Sequence, residues 1–125
     1  MNYYFLIYSS IPSRALDVKE TNKLLDSSVK TNKRHNVTGT LLMLDEMYVQ
    51  LIEGSKGAID QLYMNIRLDR RHMFVQKLKD GYVEERYFQD WAMGYDQLDL
   101  NIEQAKNTVN LDGERSQRLM QILLG

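Results

Sequence analysis

Cysteine is absent from the chain. That excludes disulfides, thiolate metal ligands and any covalent thiol chemistry. It also agrees with a reducing compartment, without requiring one. Histidine is scarce: His35 and His72 are the two in the chain. A metal centre would need carboxylates gathered around one of them, no such cluster is legible, and no metal is expected. Charge of one sign is lacking as well, since 16 Lys and Arg against 17 Asp and Glu leave a net charge of -1. Without a basic field, neither nucleic acid nor a membrane surface is expected as a partner. No apolar run approaches the roughly 20 residues of a membrane span, and the start has no basic segment leading into an apolar one. The expectation is a cytoplasmic protein. At 125 residues one domain is expected, long enough to bury roughly two-thirds of its surface around a real core.

The most informative stretch that is present runs from Met47 to Gly54, Met-Tyr-Val-Gln-Leu-Ile-Glu-Gly. Tyr, Val, Leu and Ile favour a pleated, half-buried strand. Alternation puts Tyr48, Gln50 and Ile52 on one face and Val49, Leu51 and Glu53 on the other. Gln50 thus sits between two large apolar neighbours. If buried, its amide must find partners, because an unmet buried amide costs roughly 1–3 kcal/mol. The alternative is a solvent-facing Gln on an ordinary strand. An amide has two donors and one acceptor end, and a flip exchanges them.

Around this stretch the chain reads as strands and helices in a regular order. Tyr3 to Ser9 is apolar on both faces, as a central strand is, and a loop through Pro12 follows. From Asp17, a candidate N-cap, Val18, Leu25, Val29 and Asn32 recur at helical spacing, with Leu24 beside them. Asn32 falls on the buried stripe; it equally suits a helix C-terminus satisfying loose backbone groups. Val37–Leu44 and Met47–Glu53 pair as a hairpin. Ser55 opens a second helix with Ile59, Leu62, Tyr63, Ile66 and Asp69 inward; alone, Asp69 reads as turned to water, and Arg67, Arg70, Arg71 and His72 as a solvated basic end. Met73–Leu78 is a strand, Asp80-Gly81 a turn, and Tyr87–Tyr95 a further strand carrying Trp91 and Met93, whose commonest fate is plain core packing. Two tail helices, 101–109 and 113–124, end in Leu119, Met120, Ile122, Leu123 and Leu124, which need a surface to cover. The order predicts an α+β ferredoxin-like sandwich (βαββαββ) over residues 1–97 with a C-terminal helical cap over 98–125, both helices on one sheet face and a ligand groove between them. The open sheet face, or a second copy, would receive the tail.

Leu6-Ile7-Tyr8-Ser9-Ser10, Asn32, Val37-Thr38-Gly39-Thr40, Gln50-Leu51-Ile52-Glu53-Gly54, Asp69-Arg70-Arg71-His72 and Glu85 through Met93, in this order, resemble the BLUF family of blue-light sensors using FAD. The resemblance spans about Tyr3 to Asp96. It implies a flavin between the two helices, with Tyr8 as the photoactive tyrosine and Gln50 between it and the flavin. It implies that Asn32 holds the flavin's polar edge, that Arg71, His72 and Asp69 lie near the ring, that Leu24 and Ile66 sandwich it, and that Trp91 and Met93 relay the signal. On that resemblance, Tyr8 gives an electron and a proton, Gln50 rearranges, the hydrogen bonding to a flavin carbonyl strengthens and the absorption moves red. Output is then expected in trans, through the last strand and tail helices to a separate effector protein, with the chain a homo-oligomer, at least a dimer, and not an enzyme. The chain departs from the family pattern at Tyr48, where Phe is usual, at Glu46, where a turn glycine is frequent, at Ile52, where Leu is common, and at Thr31, where many members have Asn or His.

Other readings of the same fold are weaker. An acylphosphatase-like hydrolase would use Arg14 after the first strand, but no glycine-rich cradle accompanies it. A strand-surface RNA binder would want a basic aromatic strand, which is missing. A non-photoactive adaptor on the same scaffold would not need Tyr8, Asn32 and Gln50 together.

Overall fold

The computed structural model describes residues 3–13, 18–43, 47–88, 94–97 and 114–125. The elements are β1 (Tyr3–Pro12), α1 (Val18–Arg34), β2 (Thr38–Met43), β3 (Tyr48–Gly54), α2 (Lys56–Leu68), β4 (His72–Val83), β5 (Gly94–Gln97) and a last helix, α3 (Glu114–Leu124). The sheet order is β4-β1-β3-β2-β5. β1 pairs antiparallel with β3 and β4, and β2 antiparallel with β3, while β5 lies parallel to β2. The first four strands and two helices make the expected ferredoxin-like α+β sandwich. Its fifth strand adds a parallel edge.

β1 is buried from Tyr4 to Ser10, as a strand apolar on both faces should be. Its two faces feed two cores. Phe5 and Ile7 join Leu42, Val49, Leu51, Phe88, Leu119 and Met120. Tyr4, Leu6 and Tyr8 join Val37, Ile52 and Ile59. α2 covers the second core and α3 the first, so the apolar tail does find its surface on the far sheet face. Ser55 caps α2, its Oγ accepting from Ala58 N at 3.3 Å. Gly39 is required where β2 meets β3: a Cβ there would stand 2.0 Å from the Leu51 carbonyl oxygen.

Three expectations are corrected. β1 does not stop at Ser9 but runs to Pro12, which pairs with His72 beyond the last β1–β3 pair, at Ser10; strand ends tolerate proline. Asp80-Gly81 is no turn. Both lie within β4, paired with Leu6 and Phe5, and Asp80 accepts the Tyr4 hydroxyl. Ladder pairing overrides local turn preference here. The strand expected from Tyr87 does not begin there: 84–88 is a bend, and among the described residues of this region the strand is Gly94–Gln97. Trp91, Met93, Asp17 and the helix expected at 101–109 lie outside the described residues, as does the side chain of Leu24.

Candidate functional site

Register brings the two central side chains together. Tyr8 on β1 is the direct cross-strand partner of Gln50 on β3, and both face the side covered by α2. The Tyr8 hydroxyl donates to Gln50 Oε1. Both residues are buried, Tyr8 at 4% exposure and Gln50 at 9%. Burial holds the Tyr8 phenol above the usual tyrosine range, and the Tyr63 ring and the Asp69 carboxylate push the same way. The phenol therefore keeps its proton at any ordinary pH. Tyr63 packs on Tyr8 with ring centroids 5.9 Å apart and planes tilted by 53°.

The pair forms one wall of a cavity of about 730 Å³ between α1 and α2. Leu41, Tyr48, Leu62 and Ile66 supply apolar surface; Asn32, which is 3% exposed, supplies an amide. The Asn32 backbone carbonyl accepts Val37 N at 2.8 Å, which fixes the end of α1 at the start of β2. Lys23, Ser27, Ser28 and Arg70 also line the cavity.

The 69–72 turn closes one end. Asp69 caps α2, its N–H donating to the Ile66 carbonyl at 3.2 Å. Its carboxylate accepts Arg71 N at 2.9 Å and Arg71 Nη2 at 2.5 Å. Those bonds hold the Asp69 carboxyl below the usual carboxylate range, against the opposing effect of burial. His72 Nε2 lies 2.5 Å from the Ile66 carbonyl. A carbonyl oxygen only accepts, so Nε2 carries the proton. Ser13 fastens the turn to the end of β1: its N donates to the Arg71 carbonyl at 2.9 Å and its Oγ to the Arg70 carbonyl at 2.7 Å.

The expected site residues Tyr8, Asn32, Gln50, Ile66, Asp69, Arg71 and His72 thus line one cavity. Leu41, Lys23 and Arg70 were not expected there. Tyr63 was placed inward by its helical spacing, but its contact with Tyr8 was not legible. The donor set suits a flavin. The apolar slot would take a flat ring, Asn32 and the Tyr8–Gln50 pair could meet its polar edge, and the Lys23, Arg70 and serine groups would suit a phosphate-bearing tail.

Fold and site together define a flavin-dependent sensor module rather than a hydrolase or an RNA-binding sheet. The family model described as "BLUF: Sensors of blue-light using FAD" matches residues 3–94. The chain belongs to that family of blue-light photoreceptors, and a flavin is its cofactor. It is 32% identical over 89 residues to the photoactivated adenylate cyclase subunit beta of Euglena gracilis, an alignment covering 70% of this chain and 10% of that protein. The chain thus matches about a tenth of such relatives' length, and the cyclase named for them is a property of those larger proteins. Among solved structures, the dark state of BlrB, a BLUF protein, has a TM-score of 0.73 at 30% identity, covering 77% of this chain and 73% of that one. The photo-activated state of BlsA has a TM-score of 0.77 at 25% identity, covering 98% and 96%. Among the described residues no helix is long and apolar enough to cross a membrane.

Proposed function

We propose that Tyr8 and Gln50 are the light switch of this photoreceptor and that its flavin is FAD. A flavin bound here would supply, on absorbing blue light, a strong oxidant. Tyr8 at the cavity wall would give it one electron, and the hydroxyl proton, already directed at Gln50 Oε1, would pass to Gln50. Return of that electron and a proton to Tyr8 would restore the oxidised flavin and the phenol, leaving Gln50 rotated or tautomerised, so that the donor and acceptor it offers the cavity are exchanged. Two stable hydrogen-bond patterns for one buried side chain make a bistable element. On the family resemblance, Asn32 would orient the ring's polar edge, Leu24 and Ile66 would pack its faces, and Asp69, Arg71 and His72 would lie at its end. The buried Tyr8–Gln50 bond at the wall of the cavity is the observation that carries this reading.

FAD is favoured over FMN by the family's description, and Lys23, Arg70, Ser27 and Ser28 in the cavity lining suit a phosphate-bearing tail. The output passes through the last strand, with Trp91 and Met93, and the tail to an effector protein in trans, in a cytoplasmic homo-oligomer. The relatives that join this module to an adenylate cyclase support coupling to an effector.

An absorption spectrum of purified protein, in darkness and straight after blue light, tests the switch. A flavin spectrum that moves slightly red and recovers in the dark is expected, and mass spectrometry of the released flavin separates FAD from FMN. Bound flavin without a shift would remove the switch while leaving the fold. Protein that stays colourless after flavin is added would favour the adaptor reading.

A further inference from the structure

Glu53 stands three residues beyond Gln50 on β3, and the strand's alternation sends its side chain to the opposite face. It is fully buried, at 0% exposure, and the cavity does not include it. Its two carboxylate oxygens take two main-chain donors from the bend after β4: Oε2 accepts Tyr87 N at 3.1 Å and Oε1 accepts Phe88 N at 2.8 Å. Arg86 fastens the same bend from the side. Its Nη1 donates to Thr38 Oγ1 at 3.0 Å and to the Glu53 carbonyl at 3.3 Å, and its Nη2 to the Asn36 carbonyl at 2.7 Å.

The other side of this bend holds α3. The Tyr87 carbonyl accepts Arg118 Nη1 at 2.8 Å. Phe88, 1% exposed, shares a core with Leu119 and Met120. A continuous run of contacts therefore leads from the strand of Gln50, through the Glu53 carboxylate and the Tyr87–Phe88 backbone, to α3.

A carboxylate is the side chain this arrangement needs. Residues 87 and 88 lie outside any strand, so no ladder satisfies their N–H groups, and buried N–H groups must be satisfied. Two parallel donors call for two acceptors on one side chain. A glutamine offers one acceptor and turns an NH₂ toward the second donor.

We propose that Glu53 is the positioning residue that couples the Gln50 strand to the docking of α3, making this helix the element that reports the switch. The proposal rests on the photoreceptor reading above. A shift of β3 in the light moves both acceptors, slackens the bend and loosens α3 from the far sheet face. This path runs beside the one through Trp91 and Met93.

The test uses the full chain with its flavin, as wild type, Glu53→Gln and Arg118→Gln, and reads two quantities: the red shift of the flavin, and amide hydrogen exchange over residues 114–124 in darkness and light. Wild type should exchange faster there in the light. Glu53→Gln should keep the red shift while its dark exchange rises toward the lit wild-type value, so that the light-minus-dark difference falls at least threefold. Arg118→Gln, a change at an exposed side chain, should reproduce that loss from the other end and serves if Glu53→Gln does not fold. A wild-type difference that persists in whichever of these variants folds would overturn the proposal, as would a wild type with a normal red shift and no difference over 114–124. Loss of the red shift in Glu53→Gln would also overturn it, placing Glu53 on the cofactor side. A wild type with no red shift would instead overturn the photoreceptor reading. Dark exchange would then decide alone: faster in Glu53→Gln keeps its docking role, equal removes it.

Discussion

Tyr8→Phe removes one oxygen atom and leaves the ring packed against Tyr63. What is lost is the donor to Gln50 Oε1. A net buried hydrogen bond contributes about 0.5–1.5 kcal/mol, and an acceptor left unmet costs about 1–3 kcal/mol. The variant should therefore be about 1–3 kcal/mol less stable without flavin, by urea unfolding. Gln50→Leu should lose a similar amount through the orphaned phenol. The double variant should recover the part of those losses that belongs to the Tyr8–Gln50 bond, since removing both partners leaves neither end of that bond unmet. Both single variants should bind flavin and show no red shift. The same series has an alkaline signature. Burial holds the Tyr8 phenol above its ordinary value of 10.0, so above that pH the unfolded chain releases a proton that the folded chain retains. The Tyr8 contribution leaves stability unaffected below pH 10 and lowers it above by about 1.4 kcal/mol per pH unit. Tyr8→Phe should remove that part of the slope. A normal red shift in Tyr8→Phe would refute the mechanism. Losses that simply add in the double variant would refute the hydrogen bond.

Tyr48 is 8% exposed and lines the same cavity as Tyr8. If it competes as an electron donor, Tyr48→Phe should raise the yield of the red-shifted form, and an unchanged yield would dismiss the competition. Phe74 holds φ 53° with 74% of its surface exposed, at the register shift between Ser9 and Ile11. A left-handed residue with a Cβ costs about 1–2 kcal/mol, whereas glycine loses about 0.5–1 kcal/mol in entropy. Phe74→Gly should therefore gain up to about 1 kcal/mol, and a loss larger than that would show that the ring holds something in place. The Asp69 carboxyl is depressed by Arg71, so its contribution is present above the ordinary carboxylate value and disappears as pH falls through the depressed one. Asp69→Asn should cost about 0.5–1 kcal/mol at pH 7, discounted because Arg71 is 65% exposed, and nothing below the depressed value; a cost independent of pH would point to the bond from Arg71 N to Asp69 Oδ1 rather than to the charge.

Much of this was legible before any coordinates. Period-two alternation placed Tyr8 among apolar neighbours and Gln50 between Tyr48 and Ile52, and the helical stripe turned Asn32 and Ile66 inward. Local pattern reports which face a residue takes; it left Gln50 and Asn32 open between site and solvent or helix end, and the resemblance to the family put them at one site with Asp69, Arg71 and His72. Local pattern does not report what stands opposite. Asp80-Gly81 has turn chemistry, yet β1 pairs across it and Tyr4 donates to Asp80. Glu53 shared its face with Val49 and Leu51, and its burial was not expected. Its partners, two N–H groups more than thirty residues away, belong to a bend that no periodicity marks. Arg70 read as part of a solvated basic end and Lys23 was not singled out, because only the closing of two helices over one sheet brings them to the same cavity.

The central claim is that light changes what Gln50 offers the flavin. Light-minus-dark infrared spectra of protein labelled with ¹³C-glutamine test it most directly, with Gln50→Leu as the control. The account expects a flavin carbonyl band moving to lower frequency together with an isotope-sensitive glutamine band, both missing in Gln50→Leu. A carbonyl shift with no glutamine band, or one that survives in Gln50→Leu, would contradict it.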